Sequence, residues 1–326
     1  MKAWRVYEKG HYSKALTLEE TAAPEPGPGE ARIRVRAGTV NFADILLCQG
    51  VYQDRPPLPF TPGLETAGIV EAVGPGVGLV VGDHVAAMAA LPAGGFAEQA
   101  LVRAHATVVF PRHVPFPDVT VLYSTYQTAH VALHHRGRLS AGEWLLVLAG
   151  ASGVGSAAIQ LGAAANARVI ATAGSAAKLD FCRQIGASHV IDHRTEDVAQ
   201  RLAEITDGHG VDVVFDPVGG KLTEAVRRRL AWEGRYLVIG FAGGEIPAFP
   251  ANHVLVKNYT VLGVHWSAYT KHGAAVVDAA HRDILELYER GLIRPLVGQT
   301  VSLDAVPGAL RALEDREVVG RLVLVP

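Results

Sequence analysis

The sequence predicts an α/β protein in two parts, an irregular β-barrel of short strands and a parallel sheet covered by helices. Three observations predict it. Before about residue 123 the apolar stretches are short and interrupted by Pro and Gly. From about residue 144 the chain alternates buried strands with helices. Between the first of those strands and its helix lies a glycine-rich turn, Ala149-Gly150-Ala151-Ser152-Gly153-Val154-Gly155.

The first part reads as strands and turns. Met1 to Tyr7 and Ala31 to Arg36 alternate with period two, and Ala67 to Val73 is a further short strand. Turn signals follow at Gly74-Pro75-Gly76 and Gly82-Asp83. Many short strands with frequent turns make a barrel. In the second part Leu145–Leu148, Ala167–Thr172, Val190–Ile191, Val211–Phe215, Tyr236–Ile239 and Val261–Val264 read as strands. A helix from Ser156 to Ala165 stops at Asn166; another, capped by Ser175, turns Leu179, Cys182 and Ile185 inward and stops at Gly186. Thr195 is the expected cap of the next helix, with Glu196 and Asp197 in its first turn. Apolar strands separated by helices imply a parallel sheet buried on both faces. A helix near 274–290 and a last strand, Arg321 to Val325, return most economically to the first part.

Composition narrows the function. The chain has 326 residues, 49% of them apolar and 19% charged, enough for two packed cores and too apolar for disorder. A net charge of −2 with no basic stripe argues against nucleic acid as a partner. No run of 18 apolar residues spans a membrane, and the N-terminus lacks a signal-peptide core, so a cytoplasmic protein is expected. Cys48 and Cys182 are too few for a disulfide framework or a four-cysteine zinc site.

The turn's context carries the chemistry. A glycine turn between buried strand and helix lets backbone approach a pyrophosphate at the helix N-terminus. Gly150, Ser152, Gly153, Val154 and Gly155 form this candidate cradle, although the spacing departs from G-x-G-x-x-G. An NAD enzyme places an acid about twenty residues on, to bind the ribose 2′-hydroxyl. Here the second strand ends Thr172-Ala173-Gly174-Ser175, and no acid precedes Asp180. Gly174 gives room, Ser175 a hydroxyl and Lys178 a positive charge for a 2′-phosphate, with His193 and Arg194 closing the pocket. NADPH is the expected cofactor.

Several further segments carry a family resemblance: Asn41-Phe42-Ala43-Asp44, Pro59-Phe60-Thr61-Pro62-Gly63-Leu64-Glu65, Gly82-Asp83-His84-Val85, Gly94-Gly95-Phe96-Ala97-Glu98, Phe215-Asp216-Pro217-Val218-Gly219-Gly220 and Val256-Lys257-Asn258. In this order, spanning nearly the whole chain, they resemble the zinc-independent quinone oxidoreductase (zeta-crystallin-like) family of the medium-chain dehydrogenase/reductase superfamily. The resemblance implies a Rossmann doubly wound parallel sheet, residues 124–267, inserted into a GroES-like irregular β-barrel catalytic domain, residues 1–123 plus 268–326. It places the active site in the cleft between them. Zinc alcohol dehydrogenases of the superfamily carry a Cys near the position of Asn41 and a His before the motif glutamate. Here Leu64 precedes Glu65 and no Cys lies near Asn41, so no metal is expected.

The resemblance also implies roles. Tyr52 donates its hydroxyl to a substrate oxygen or stacks on a quinone. Asn41 holds cofactor ribose or substrate, and Asp44 and Glu65 orient the site. Tyr126 and Thr128 lie beside the nicotinamide, Phe241 covers its other face, and Asn258 and Arg321 close over the cofactor. Hydride transfer from NADPH to a quinone is the expected reaction. An α,β-unsaturated carbonyl, as an enal or enoyl thioester, is the alternative acceptor, and an NADPH-binding protein with little turnover is the alternative from another class. The family implies a homodimer, with Thr260 to His265 as the candidate edge.

Overall fold

A computed structural model describes every residue except Arg316. The chain divides into two compact units, unit 1 being Met1–Ser124 with Pro295–Pro326 and unit 2 being Thr125–Arg294. Fourteen strands lie among the described residues. In chain order they are β1 (Lys2–Val6), β2 (Leu16–Glu20), β3 (Glu30–Thr39), β4 (Glu65–Val73), β5 (His84–Ala89), β6 (Gln99–Val109), β7 (Trp144–Val147), β8 (Arg168–Ala173), β9 (His189–Asp192), β10 (Val211–Asp216), β11 (Leu230–Val238), β12 (Thr260–Gly263), β13 (Val297–Val301) and β14 (Arg321–Leu324).

In unit 1 the alternating pattern closes a barrel. β3 pairs antiparallel with β4 and β6, and β5 bridges those two, so four strands return upon themselves. β14 extends the sheet from β3, and β13 runs parallel to β14. Alternate residues fill the interior: Ala31, Ile33 and Val35 of β3, Val70, Val85, Ala87, Ala100 and Val102. Many are small, as a narrow barrel requires. The β3–β4 register shifts between Val35 and Ala37, where Gly68 is opposed. A Cβ on Gly68 would stand 2.0 Å from the Arg34 carbonyl oxygen, so only glycine permits that approach. A second core holds Trp4, Phe60, Leu64, Phe96, Val306 and Leu310 around the helix Phe42–Gln49. Each large side chain sealed there contributes about 1.5–3 kcal/mol of burial.

Unit 2 is a parallel sheet in the order β12-β11-β10-β7-β8-β9. Strand order reverses between β7 and β10, the switch point where open α/β sheets bind ligands. Leu145, Leu146, Val147, Val213, Val214 and Phe215 are wholly buried, as expected of central parallel strands. β12 is one edge of the sheet.

The helices differ from expectation in three places. Helix Gly153–Ala164 begins three residues early, because Ser152 caps it. The helix expected to be capped by Thr195 spans Val198–Ile205, capped by Asp197, whose side chain accepts from Gln200 N at 3.0 Å; Glu196 instead accepts from Asp192 N at 2.7 Å. The second unit boundary lies at 294/295, not 267/268. Helix Ala274–Glu289 buries Val277, Ala280 and Ile284, packs on the helix Gln127–His130 of unit 2, and carries Asp283 to within 3.2 Å of His130 Nε2. Among the described residues no helix is long and apolar enough to cross a membrane.

Candidate active site

Unit 2 presents its glycine turn at the carboxyl end of β7. Thr172 at the end of β8 anchors it: its carbonyl accepts from Gly150 N at 2.8 Å, and its hydroxyl oxygen from Ala149 N at 3.3 Å. Ser152 Oγ accepts from Gly155 N at 3.1 Å. A Cβ on Gly155 would lie 2.3 Å from the Ala149 carbonyl oxygen, so a side chain there would force the turn open. The N–H groups of Gly153 and Val154, first in a helix of twelve residues, have no acceptor among the described residues. Free N–H groups at a helix N-terminus suit an anion.

The neighbouring loops gather the other residues singled out in unit 2. A Cβ on Gly174 would stand 2.8 Å from Arg194 Nε and 3.0 Å from His193 Cε1, so these three residues are in contact. Ser175 caps the following helix with its backbone alone, which leaves its hydroxyl out of the cap, and Lys178 lies in that helix's first turn. At the carboxyl end of β10, Asp216 gathers a loop. It accepts from Val218 N, Gly219 N, the Thr223 hydroxyl and the Tyr236 hydroxyl at 2.7, 2.8, 3.0 and 2.6 Å. The loop carrying Phe241 rests on it through Ala242 N to Pro217 O and Gly243 N to Val218 O. Phe241 itself is exposed. Tyr126 is buried and donates its hydroxyl to the Arg294 carbonyl at 2.9 Å, while Thr128, two residues on, is half-buried. Asn258 ends the helix Ala251–Lys257 in a left-handed conformation, φ 51°.

Unit 1 brings together Asn41, Asp44, Glu65 and Arg321. Asn41 caps the helix Phe42–Gln49. Asp44 accepts from Asn41 N at 2.8 Å and from Leu64 N at 3.0 Å. The Asn41 side-chain oxygen Oδ1 accepts from Arg321 Nη2 at 2.5 Å. The same Nη2 lies 3.1 Å from Glu65 Oε2. Arg321, expected over the cofactor, is thus held by two side chains of its own unit. Thr39, which the sequence did not single out, donates to Glu65 and accepts from Asn41 Nδ2. Tyr52 is half-buried against the same core, and its hydroxyl accepts from Gln53 Nε2 at 3.4 Å. Burial pushes the Tyr52 phenol up, which favours the protonated form that can donate. Leu64 is buried in the core beside this cluster. Cys48 is buried too, and burial pushes its thiol up to about 12. Among the described residues no group of three or more His, Cys, Asp or Glu side chains is placed to hold a metal ion.

Burial raises the Asp44 carboxyl to about 7, against the lowering effect of the Asn41 and Leu64 N–H groups; Glu65 adds to the rise. The folded chain therefore binds this proton more tightly than the unfolded chain, whose aspartate titrates near 3.9. The favourable contribution is complete below about pH 4 and is lost as pH rises to about 7. Relative to Asp44→Asn, the wild-type unfolding free energy should fall on the order of 4 kcal/mol across that window. Urea unfolding of both proteins at pH 4.5 and pH 7.5 measures it, and a constant difference would mean that Asp44 stays ionised throughout.

Comparison with known proteins agrees with this architecture. Residues 27–112 match the model for the alcohol dehydrogenase GroES-like domain, and residues 153–282 match that for the zinc-binding dehydrogenases. A quinone oxidoreductase-like protein 2 of Mus musculus is 36% identical over 311 residues, covering 95% of this chain and 88% of its own. Among solved structures, a quinone oxidoreductase of Escherichia coli in complex with NADPH superimposes with a TM-score of 0.91 at 28% identity, over 100% of both chains. A mycobacterial protein in complex with NADPH does so with a TM-score of 0.91 at 30% identity, again over 100% of both chains. With both family models matched in order and relatives aligned over nearly its whole length, the chain belongs to the quinone oxidoreductase family of the medium-chain dehydrogenase/reductase superfamily.

Proposed function

We propose that the protein is an NADPH-dependent quinone oxidoreductase that works without zinc. The observation that carries the cofactor is the turn at the switch point: free N–H groups at Gly153 and Val154, and a Gly155 that no side chain could replace. These residues would hold a pyrophosphate. Gly174, Ser175, Lys178, His193 and Arg194 would hold a ribose 2′-phosphate, since Gly174 offers no carboxylate to repel it. The relatives solved with NADPH support the same choice. When bound, the reduced nicotinamide supplies the hydride.

The chain's own part is to position and to donate. A hydroquinone oxyanion is delocalised over an aromatic ring, so hydrogen-bond donors suffice where an aliphatic alkoxide needs more. Asn41 and Tyr52 supply such donors in unit 1. The zinc-free reading rests on the donor set. Leu64 offers no ligand atom, Cys48 is a buried neutral thiol, and Glu65 is already held by the Arg321 cation. A guanidinium against Glu65 repels a dication at that place.

NADPH oxidation by EDTA-treated protein tests the reaction. Turnover should be fast with 1,4-benzoquinone, slower with crotonaldehyde, and unchanged by EDTA. Turnover with the enal alone would move the acceptor to α,β-unsaturated carbonyls. Tight NADPH binding without turnover would point to a binding protein, and loss of rate restored by zinc would overturn the metal-free reading.

The phosphate pocket has its own test. Arg194→Ala should raise the KM for NADPH about tenfold, the worth of one charge-assisted hydrogen bond, and leave that for NADH unchanged. Equal changes for the two cofactors would refute the pocket.

We also propose that β12 pairs with β12 of a second copy. It is a sheet edge with one strand partner, and the helix before it exposes Leu255 and Val256. Light scattering should give twice the mass of one chain, falling to one for Leu262→Arg; a single-chain mass for the wild type would refute it.

A further inference from the structure

Four side chains of unit 1 close a hydrogen-bonded ring. Arg321 Nη2 donates to Asn41 Oδ1 and to Glu65 Oε2. The Thr39 hydroxyl donates to Glu65 Oε2. Asn41 Nδ2 donates to the Thr39 oxygen at 3.0 Å, which completes the circuit. The sheet places three of the members. Thr39 is the last residue of β3 and lies directly opposite Glu65, the first of β4; Arg321 is the first of β14, the strand on the other side of β3. Asn41 follows Thr39 by two residues, and its backbone is held by Asp44.

The ring has a direction. A side-chain amide can sit either way round, and nothing in its shape decides which. Here the partners decide. Arg321 only donates, so it faces the amide oxygen. An ionised Glu65 only accepts, so it takes the Thr39 proton. The Thr39 oxygen then has a lone pair, and no proton, for Asn41, and the amide nitrogen must face it. One N–H of Asn41 is used. The other has no acceptor among the described residues, although Asn41 is only 9% exposed. An almost buried donor in that state is suited to a ligand's acceptor atom.

We propose that Thr39 and Glu65 are positioning residues that lock the Asn41 amide with one N–H presented to an acceptor oxygen of the substrate. The kinetic consequence rests on the quinone reductase reading above; the lock itself does not. Arg321 closes the ring and neutralises Glu65. The device works through Asn41: Thr39 and Glu65 touch each other and the amide, and the amide meets the ligand.

Thr39→Val removes the hydroxyl and keeps the shape; Thr39→Ser keeps the hydroxyl. Two readouts separate the lock from the reaction. In cofactor-free protein, the Asn41 side-chain amide is observed by ¹⁵N NMR, assigned by its disappearance in Asn41→Asp. Thr39→Val should move one of its two proton resonances, and Thr39→Ser should leave both close to wild type. In steady state, Thr39→Val should lower kcat/KM for 1,4-benzoquinone about tenfold, equivalent to ~1.4 kcal/mol, with the KM for NADPH within about twofold. Thr39→Ser should restore it. Unmoved amide resonances in Thr39→Val, or a Thr39→Ser variant as impaired as Thr39→Val, would overturn the proposal. If wild type turns over no quinone, the substrate reading fails while the NMR arm still decides the lock.

Discussion

Strand β3 hydrogen-bonds to β4, β6 and β14, and unit 1 depends on that triple pairing. Pairing with β4 and β6 closes the barrel and seals its small interior residues. Pairing with β14 brings the end of the chain beside the end of β3, nearly 300 residues earlier in sequence. The polar cluster follows from this. Glu65 and Arg321 begin the two strands that flank Thr39, so their side chains are delivered to one place by backbone register. A register slip of one residue on either side would turn the side chain to the opposite face and dissolve the cluster.

That cluster shows why some of the site was legible in sequence and some was not. Asn41 and Asp44 fall in one short segment that carries the family resemblance, which marked them both; that they form a helix cap, with Asp44 on the Asn41 N–H, emerges only in the structure. Thr39 carries no such signal. It ends an ordinary strand, and its importance comes from Glu65, 26 residues away, and from Asn41. Arg321 is similar. The sequence marked it as a residue of interest, but a cross-strand partner cannot be read from a single strand.

In unit 2 the legible features are local in the same sense. Strand–turn–helix periodicity fixes the sheet, and the glycine turn names its own position at the first strand's end. Gly174 with His193 and Arg194 was also within reach, since adjacent parallel strands align their carboxyl ends. The misses are competitions between near-equal local choices. Thr195 and Asp197 are both good caps two residues apart. Asp197 wins, while Glu196 turns back onto the end of β9, so the helix starts later. Helix Ala274–Glu289 offered an apolar stripe that either unit could cover. Its assignment to unit 2 is decided by what it meets there: the helix Gln127–His130 and the Asp283–His130 contact.

The two units build their proposed binding groups from different materials. Unit 2 uses main chain: N–H groups at a helix start, and glycines where a Cβ would strike carbonyl oxygen or side chain. At the turn such a site reads charge and shape and is indifferent to most side-chain changes except at the glycines, while the side chains proposed for a 2′-phosphate gather beside Gly174. Unit 1 uses side chains in a ring in which each member fixes the direction of the next. Removing one member frees its neighbours to turn, because an amide or a hydroxyl without its partner has more than one orientation of similar energy. The first arrangement suits a large anionic ligand gripped by many backbone groups. The second suits one oxygen atom whose position must be set by a single N–H.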